Sequence, residues 1–272
     1  MFAADPKLLH RLEPEVRRVL IIDPNMAAAR LLGDLMKGLG ARDIYFEADE
    51  RRALELCREM DPGIIFIERS GPRLDGESFT RKLRRSSLIC RKAPVIMVTS
   101  DATAYSIKVA RDCGVHEFLR KPYTAGDLLK RVAVVFLKPR NWIEAVGYVG
   151  PDRRRFNSGD YAGPLKRQAD QAAGPGESSA QAIDQAVRIL RSAITQFDSD
   201  PMQALRAIRE QAVQLKAVAV AAGEARLAVA VAGLEVALNG AAPTRTSLQA
   251  PVKAVTDLYP TEAKTAPATA AA

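Results

Sequence analysis

Between residues 17 and 137, five short apolar runs alternate with five longer amphipathic stretches. The apolar runs predict buried strands, and the longer stretches have the apolar spacing of helices that cover a sheet. The predicted strands are 18–22, 43–47, 63–68, 94–98 and 116–120. The predicted helices are 26–38, 50–60, 77–85, 103–113 and 124–136. Such alternation requires right-handed crossovers, so the sequence predicts an α/β fold with a doubly wound parallel sheet.

Polar residues stand at the carboxyl ends of four of these strands. Asp23 follows the first strand, Glu68 ends the third, Thr99 follows the fourth and Lys121 follows the fifth. In an open parallel sheet these ends border one crevice, where ligands bind. We therefore expect the four side chains to meet there. Lys121 is expected to pair with Glu68, and the Thr99 hydroxyl to hydrogen-bond the same carboxylate.

This pattern resembles the receiver domain of two-component response regulators. Thr99 lies 31 residues after Glu68, and Lys121 lies 22 residues after Thr99. Phe118 stands where that family places a rotating aromatic residue. The resemblance implies a flavodoxin-like five-stranded sheet. In that family an acidic pair binds magnesium, an aspartate accepts the phosphoryl group, and a Thr or Ser and a Lys respond to it. By the same resemblance, Thr99, Phe118 and Lys121 are switch residues.

The chain departs from the family at two positions. Glu68 occupies the position of the phosphate-accepting aspartate, and its extra methylene displaces the carboxylate. Asp23 is followed by Pro24, so only a remnant of the acidic pair is present. Magnesium requires near-ideal octahedral geometry and is held by few carboxylates. We therefore expect a degenerate receiver that binds no metal or other cofactor, accepts no phosphoryl group and is not an enzyme.

Residues 139–178 predict a connector, because prolines interrupt them and they lack periodicity. The connector contains the arginine run Arg153, Arg154 and Arg155. Two interpretations stay open for this run. It is either part of a solvated basic linker, or an anion site in which guanidinium groups bind phosphate. The second interpretation is similar to the way in which some receiver-like proteins bind cyclic di-GMP through a basic C-terminal element.

Three further ring-bearing residues are given structural roles. Trp142 and Tyr148 lie in the connector and are expected to pack against the α/β domain. His116 follows Gly114 and Val115 at the start of the fifth strand, where a turn residue is expected. None of the three belongs to a recognisable catalytic motif.

Residues 179–258 predict a helical bundle. The expected helices are 179–197, 201–221, 223–238 and 246–258. The bundle resembles a histidine-containing phosphotransfer domain. The residues that carry this resemblance are Leu215, Lys216, Ala217, Gly223, Leu227, Leu234 and Glu235. Val213 occupies the position of the phosphotransfer histidine, so the resemblance implies a bundle that relays no phosphoryl group. An unrelated alanine-rich bundle is the alternative.

Length and composition set the remaining bounds. The 272 residues allow two modest domains, here 17–138 and 179–258, with an arm at 1–16 and a disordered tail at 259–272. The net charge of +8 is spread among acidic residues, so nucleic-acid binding is not expected. The cysteines are expected to be free thiols, namely Cys57, Cys90 and Cys113. No leader or membrane span is expected, which predicts a cytoplasmic protein.

Together these features predict a pseudo-receiver signalling adaptor of bacterial phosphorelays that acts by protein–protein interaction. Its expected partners are a histidine kinase, a response regulator or another two-component protein. The alternative is a receptor for a cyclic dinucleotide or another anion, bound by the connector arginines. A phosphotransfer enzyme is disfavoured because Val213 and Pro24 replace the groups that it would need.

Overall fold

The computed structural model describes residues 6–101, 103–153, 175–240 and 242–260. These residues divide into two compact units. The α/β unit extends to Ile143 and includes the chain again from Tyr148. The helical unit contains Glu144–Gly147 and the helices that begin at Pro175.

The α/β unit is built on five parallel strands. In chain order, the first five strands of the unit are β1 (Arg18–Ile22), β2 (Asp43–Glu47), β3 (Ile64–Glu68), β4 (Ser70–Gly71) and β5 (Leu74–Asp75). They are followed by β6 (Val95–Thr99) and β7 (Glu117–Arg120). The order in the main sheet is β2-β1-β3-β6-β7, and β4 pairs with β5 in a separate short hairpin. This order confirms the predicted flavodoxin-like fold.

Within the described residues the α/β unit has six α-helices, one before β1 and five after successive strands, and most begin directly after a polar capping residue. They are α1 (Pro6–Leu12), α2 (Met26–Gly38), α3 (Glu50–Met60), α4 (Gly76–Arg85), α5 (Ala104–Cys113) and α6 (Ala125–Leu137). The side chains of Asn25, Asp49, Asp75, Thr103 and Thr124 accept backbone N–H bonds at the starts of α2 to α6. These caps satisfy donors that the first helical turn leaves unpaired, which fixes where each helix begins.

Strand residues alternate between two hydrophobic cores, one on each face of the sheet. Val19 and Ile21 of β1 belong to the core that α1, α2 and α6 cover. Leu20 and Ile22 belong to the core that α3, α4 and α5 cover. Because both faces of β1, β3 and β6 are buried, these strands are apolar along almost their whole length, whereas the edge strand β2 is partly exposed. Polar side chains are accommodated at the strand ends, where they border the crevice.

The first part of the predicted connector has regular structure. Trp142–Glu144 (β8) pairs with Val149–Pro151 (β9) in a two-stranded sheet. Tyr148 is buried and donates a hydrogen bond of 2.6 Å to the Pro151 carbonyl oxygen. The Trp142 ring lies 5.4 Å from the Arg84 guanidinium of α4. The expected packing of Trp142 and Tyr148 against the α/β domain is therefore confirmed, whereas periodicity did not reveal strands this short.

Arg84 is fully buried, and none of the described residues pairs a carboxylate with its guanidinium. Its guanidinium donates to three carbonyl oxygens, those of Gly114 at 2.9 Å, Arg91 at 2.6 Å and Ala93 at 2.9 Å. Burial lowers the pKa of Arg84 to about 10, which still leaves the side chain charged at neutral pH. Arg84 therefore joins α4 to the turn before β7 and to the segment before β6.

His116 lies beside this guanidinium and is held in its neutral form. Its Nδ1 atom is 3.2 Å from Arg84 Nη2 and 3.3 Å from the Val95 amide nitrogen. Burial lowers the pKa of His116 well below its ordinary value, and the charges of Arg84 and Arg140 lower it further. The imidazole thus has a structural role, in agreement with the sequence interpretation.

This environment predicts that acid destabilises the α/β unit through His116. Below pH 6.5 the unfolded chain binds a proton at His116 that the folded chain does not bind, so stability falls as pH falls. The slope for one such group is at most about 1.4 kcal/mol per pH unit. Urea unfolding between pH 7.5 and pH 5.5, followed by Trp142 fluorescence, measures it. His116→Asn retains an acceptor near Nδ1 and should flatten this dependence; an unchanged slope would contradict the assignment.

Four helices form the part of the helical unit that the structure describes. They are α7 (Pro175–Thr195), α8 (Pro201–Ala222), α9 (Ala225–Leu238) and α10 (Arg245–Thr256). Each helix packs against the next, and α10 packs against α7, which closes a four-helix ring. Leu190, Leu215, Leu234 and Leu248 are buried in its interior. The helical region predicted from apolar spacing is therefore present, with ends that differ by up to four residues from the prediction.

Two further expectations concern the cysteines and membrane spans. Cys57, Cys90 and Cys113 are buried free thiols. Within the residues described, no helix combines the length and apolar character that crossing a membrane requires. Of the predicted tail at 259–272, residues 261–272 lie outside the described residues.

Candidate functional site: an acidic crevice bridged by lysine

The crevice lies at the carboxyl ends of β1, β3, β6 and β7. Glu68 is the last residue of β3 and Thr99 the last of β6, while Asp23 and Lys121 follow β1 and β7. Parallel pairing of β1 with β3, β3 with β6 and β6 with β7 brings these strand ends to one edge of the sheet. A main-chain hydrogen bond also joins the ends of β6 and β7, because the Lys121 amide donates to the Thr99 carbonyl oxygen at 2.9 Å.

Lys121 bridges the two carboxylates of the crevice. Its Nζ atom lies 2.6 Å from Glu68 Oε2 and 2.8 Å from Asp23 Oδ2. The predicted contact between Lys121 and Glu68 is therefore present. The additional contact with Asp23 places the ammonium group between both acids. Two carboxylates and one ammonium leave this cluster with one net negative charge.

The remaining carboxylate oxygens bind backbone amides. Asp23 Oδ1 accepts a hydrogen bond of 2.8 Å from the Asn25 amide, and Glu68 Oε1 accepts one of 2.8 Å from the Arg69 amide. Every carboxylate oxygen of the pair thus has a donor from the chain itself. Both side chains are mostly covered, with 9% of Asp23 and 15% of Glu68 exposed. Charge-assisted hydrogen bonds in such surroundings hold a fixed geometry.

The surroundings of Lys121 keep its amine protonated. Burial lowers the pKa of Lys121, but the hydrogen bonds that its ammonium donates to Asp23 and Glu68 outweigh this effect and leave the pKa raised above its ordinary value. The ammonium is consequently a permanent cation of the crevice at physiological pH. This cation offsets one of the two negative charges of the acids without a solvent ion.

Pro24 fills the space beside the acids with a ring. A Cβ atom placed on Gly71 would lie 2.4 Å from Pro24 Cγ, so the ring packs closely on the β4–β5 hairpin and requires glycine there. A second carboxylate is absent at this position. The residues present do not fit magnesium, because Lys121 already binds the two acids and Pro24 supplies no ligand. Among the residues described, no cluster of three His, Cys, Asp or Glu side chains could hold a metal ion.

Thr99 differs from the expectation in its hydrogen bonding. Its side-chain oxygen accepts a bond of 3.2 Å from the Asp101 amide, and no bond to Glu68 is found among the described residues. Lys121 and the Arg69 amide already donate hydrogen bonds to the two Glu68 oxygens. Thr99 instead stabilises the turn that follows β6. Phe118 is buried, with 4% of its surface exposed, in the core that α3, α4 and α5 cover.

Arg69 is the residue of this site that sequence reasoning missed. Its Nε atom lies 3.0 Å from Glu77 Oε1, and its Nη1 atom forms an ion pair with Asp101. Only 21% of the Arg69 side chain is exposed. A charged residue directly after Glu68 could have drawn attention to this position, but nothing local in the sequence indicates which acids it meets.

The arginine run of the connector is described only at its first residue. Arg153 pairs with Asp112 at 3.0 Å and lies over the Tyr148 ring at 4.7 Å. Its guanidinium is thus bound to a carboxylate of the same unit. Arg154 and Arg155 lie outside the described residues. The predicted anion site stays a prediction, and Arg153 forms an ion pair within the α/β unit.

Val213 lies on the outer surface of α8, with 63% of its surface exposed. Lys216 is on the same helix and pairs with Glu235 of α9 at 2.8 Å. The position predicted for a lost phosphotransfer histidine is therefore accessible to solvent. The derivation of the helical bundle from a phosphotransfer domain stays a prediction.

Comparison with known proteins supports the α/β part of this description. Residues 19–133 match the family "Response regulator receiver domain". The chain is 25% identical over 116 residues to the DNA-binding response regulator MtrA of Mycobacterium tuberculosis, which is 43% of this chain and 49% of that protein. It is 24% identical over 119 residues to the chemotaxis protein CheY-3 of Vibrio cholerae, 44% of this chain and 91% of that protein. The chain thus spans about half the length of the MtrA relatives.

Similar folds occur among solved structures. A response regulator from Chloroflexus aurantiacus aligns with 44% of this chain and 96% of its own, at 21% identity and a TM-score of 0.41. One chain of the CheX–CheY complex from Borrelia burgdorferi also aligns, over 43% of this chain and 87% of its own length, at 24% identity and a TM-score of 0.40.

Proposed function

We propose that the chain, of which residues 19–133 are a response regulator receiver domain, is a two-component signalling adaptor that does not accept a phosphoryl group. It acts by binding other proteins and needs no catalytic chemistry of its own. The observation that carries the proposal is the Lys121 bridge. The Lys121 ammonium lies 2.6 Å from Glu68 and 2.8 Å from Asp23, and backbone amides bind the other two carboxylate oxygens.

This arrangement disfavours phosphoryl transfer for two physical reasons. Each Glu68 oxygen already accepts a hydrogen bond, and such bonds withdraw electron density and lower the nucleophilicity of the carboxylate. Phosphoryl transfer also depends on cations that neutralise the charge of the transferred group. Among the described residues, the cation that contacts the acids is Lys121, and it already pairs with Glu68 and Asp23.

The fixed charge of Glu68 supplies only part of what a phosphoryl group would add. A phosphoryl group carries about −1.5 to −2 charges and three acceptor oxygens. An ion pair at the edge of a protein contributes about 1 kcal/mol or less. Moving a two-state equilibrium from 1:99 to 99:1 needs about 5.5 kcal/mol. Glu68 therefore biases the domain toward one state rather than locking it, and other contacts must complete the selection.

The proposed partners are proteins of the same signalling class, such as a histidine kinase or a response regulator. The support is the family of residues 19–133, because receiver domains interact with such proteins. For the cyclic dinucleotide alternative, the described residues offer no corresponding support. Arg153 is bound to Asp112, and this leaves the adaptor as the single proposal.

Incubation with acetyl phosphate and magnesium tests the proposal directly. The wild-type full-length chain should gain no phosphoryl group, because Lys121 and two backbone amides occupy the carboxylates of the crevice. Intact-mass spectrometry measures this, with an active receiver domain treated in parallel to verify the reagent. A phosphoryl adduct that maps to Glu68 and disappears in Glu68→Ala would contradict the proposal.

A further inference from the structure

The crevice contains a second ionic bridge, centred on Arg69. Arg69 follows Glu68 directly, and its guanidinium contacts two carboxylates on different elements. Nε binds Glu77 in the first turn of α4 at 3.0 Å, and Nη1 binds Asp101 in the turn between β6 and α5. The Arg69 and Glu77 side chains are only 21% and 17% exposed. One fork-shaped guanidinium can hold two acids in this way because it presents several donors in fixed directions.

Asp101 is the point at which this bridge reaches the start of α5. Its amide donates to the Thr99 side-chain oxygen at 3.2 Å, and its carbonyl oxygen accepts from the buried Ser106 hydroxyl at 3.0 Å. Its carboxylate also lies 3.4 Å from the Thr103 amide. Whatever holds the Asp101 side chain therefore also holds the turn after Thr99 and the first turn of α5.

We infer that Arg69 is an internal clamp that fixes the turn after β6 and the start of α5 in one arrangement. The clamp joins the end of β3 to this turn through protein charges alone, with no phosphoryl group and no metal. Lys121 makes the complementary connection between the ends of β1, β3 and β7. Two cationic side chains thus connect the loops after all four polar strand ends. The clamp goes beyond the proposed function, since it concerns the position of a loop rather than the reactivity of Glu68.

Hydrogen–deuterium exchange of the full-length chain tests the clamp. In Arg69→Ala, amides at the start of α5 should exchange about fivefold faster, because a partly covered ion pair of about 1 kcal/mol no longer opposes local opening. Asp101→Asn keeps the side-chain oxygen but removes the charge, and it should produce a similar increase. The double variant should exchange no faster than either single variant, since both changes break one and the same bridge.

A matched control separates this effect from a general loss of an arginine. Arg52→Ala breaks the exposed pair with Glu55 on α3, at 2.7 Å, and should leave exchange at the start of α5 unchanged. Wild-type exchange at α5 in Arg69→Ala would overturn the inference, as would effects of Arg69→Ala and Asp101→Asn that multiply in the double variant. The measurement uses neither magnesium nor a phosphodonor, so its failure is distinguishable from failure of the proposed function.

Discussion

Arg84→Ala should destabilise the α/β unit by about 3–5 kcal/mol, a cost typical of removing a large, fully buried and hydrogen-bonded side chain. The substitution leaves the carbonyl oxygens of Gly114, Arg91 and Ala93 without their donor and opens a cavity between α4 and the turn before β7. Urea unfolding, followed by tryptophan fluorescence, measures this loss in the free energy of unfolding. Trp142 is the only tryptophan of the chain and lies 5.4 Å from Arg84, so its signal reports on this region.

Arg81→Ala is the matched control for Arg84→Ala. Arg81 is on the same helix, 51% of its side chain is exposed, and its nearest acid, Glu77, is 3.9 Å away. Surface substitutions of this kind change stability by about 0.5 kcal/mol or less. A cost for Arg84→Ala that lies within 1 kcal/mol of the control, on the order of one ordinary surface contact, would show that the buried guanidinium is dispensable.

The double substitution Pro24→Asp plus Glu68→Asp should make the chain accept a phosphoryl group from acetyl phosphate in the presence of magnesium. Pro24→Asp supplies the second carboxylate beside Asp23, and Glu68→Asp withdraws the acceptor carboxylate from the position in which it binds Lys121. The modification should be partial, because Pro24 also packs on Gly71 and its removal loosens the β4–β5 hairpin. The mass increase of the intact chain measures the modified fraction.

Pro24→Ala plus Glu68→Asp is the control for this gain of reactivity. It removes the ring and shortens the acceptor in the same way but adds no carboxylate, so it should stay unmodified with magnesium. Equal modification of both double variants would show that the metal cradle does not limit the reaction. An unmodified Pro24→Asp plus Glu68→Asp chain would place the defect elsewhere, for example in the Arg69 bridge to Asp101.

The two ionic bridges suggest how a receiver fold can hold one arrangement without modification. Lys121 joins the ends of β1, β3 and β7, and Arg69 joins the end of β3 to α4 and to the turn before α5. Each bridge alone contributes a small free energy at partly exposed positions. Acting on connected loops, they add to the fixed charge of Glu68, which by itself is too weak to select one state.

The sequence alone determined the sheet, the helices and the meeting of the crevice residues. Apolar strands and polar caps are local signals. The crossover rules reduce the possible arrangements of five parallel strands, and the resemblance to receiver domains implies the flavodoxin-like one. Because Glu68 and Lys121 both stand at the carboxyl ends of these strands, their contact followed once the strand order was known. For the same reason, Asp23 and Thr99 could be assigned to the same edge of the sheet.

Tertiary structure decided the contacts that have no local signal. The pairing of Arg69 with Glu77 and Asp101 depends on where three loops end. The Thr99 hydroxyl accepts from the Asp101 amide two residues on, a local bond that competes with the predicted bond to Glu68. The strands at Trp142–Glu144 and Val149–Pro151 are too short for their periodicity to be read. Charged side chains are long, and many acids lie within their reach. The partners of charged side chains are therefore set by distances that exist only after the backbone has folded. Hydrophobic spacing, in contrast, can be read from the sequence directly.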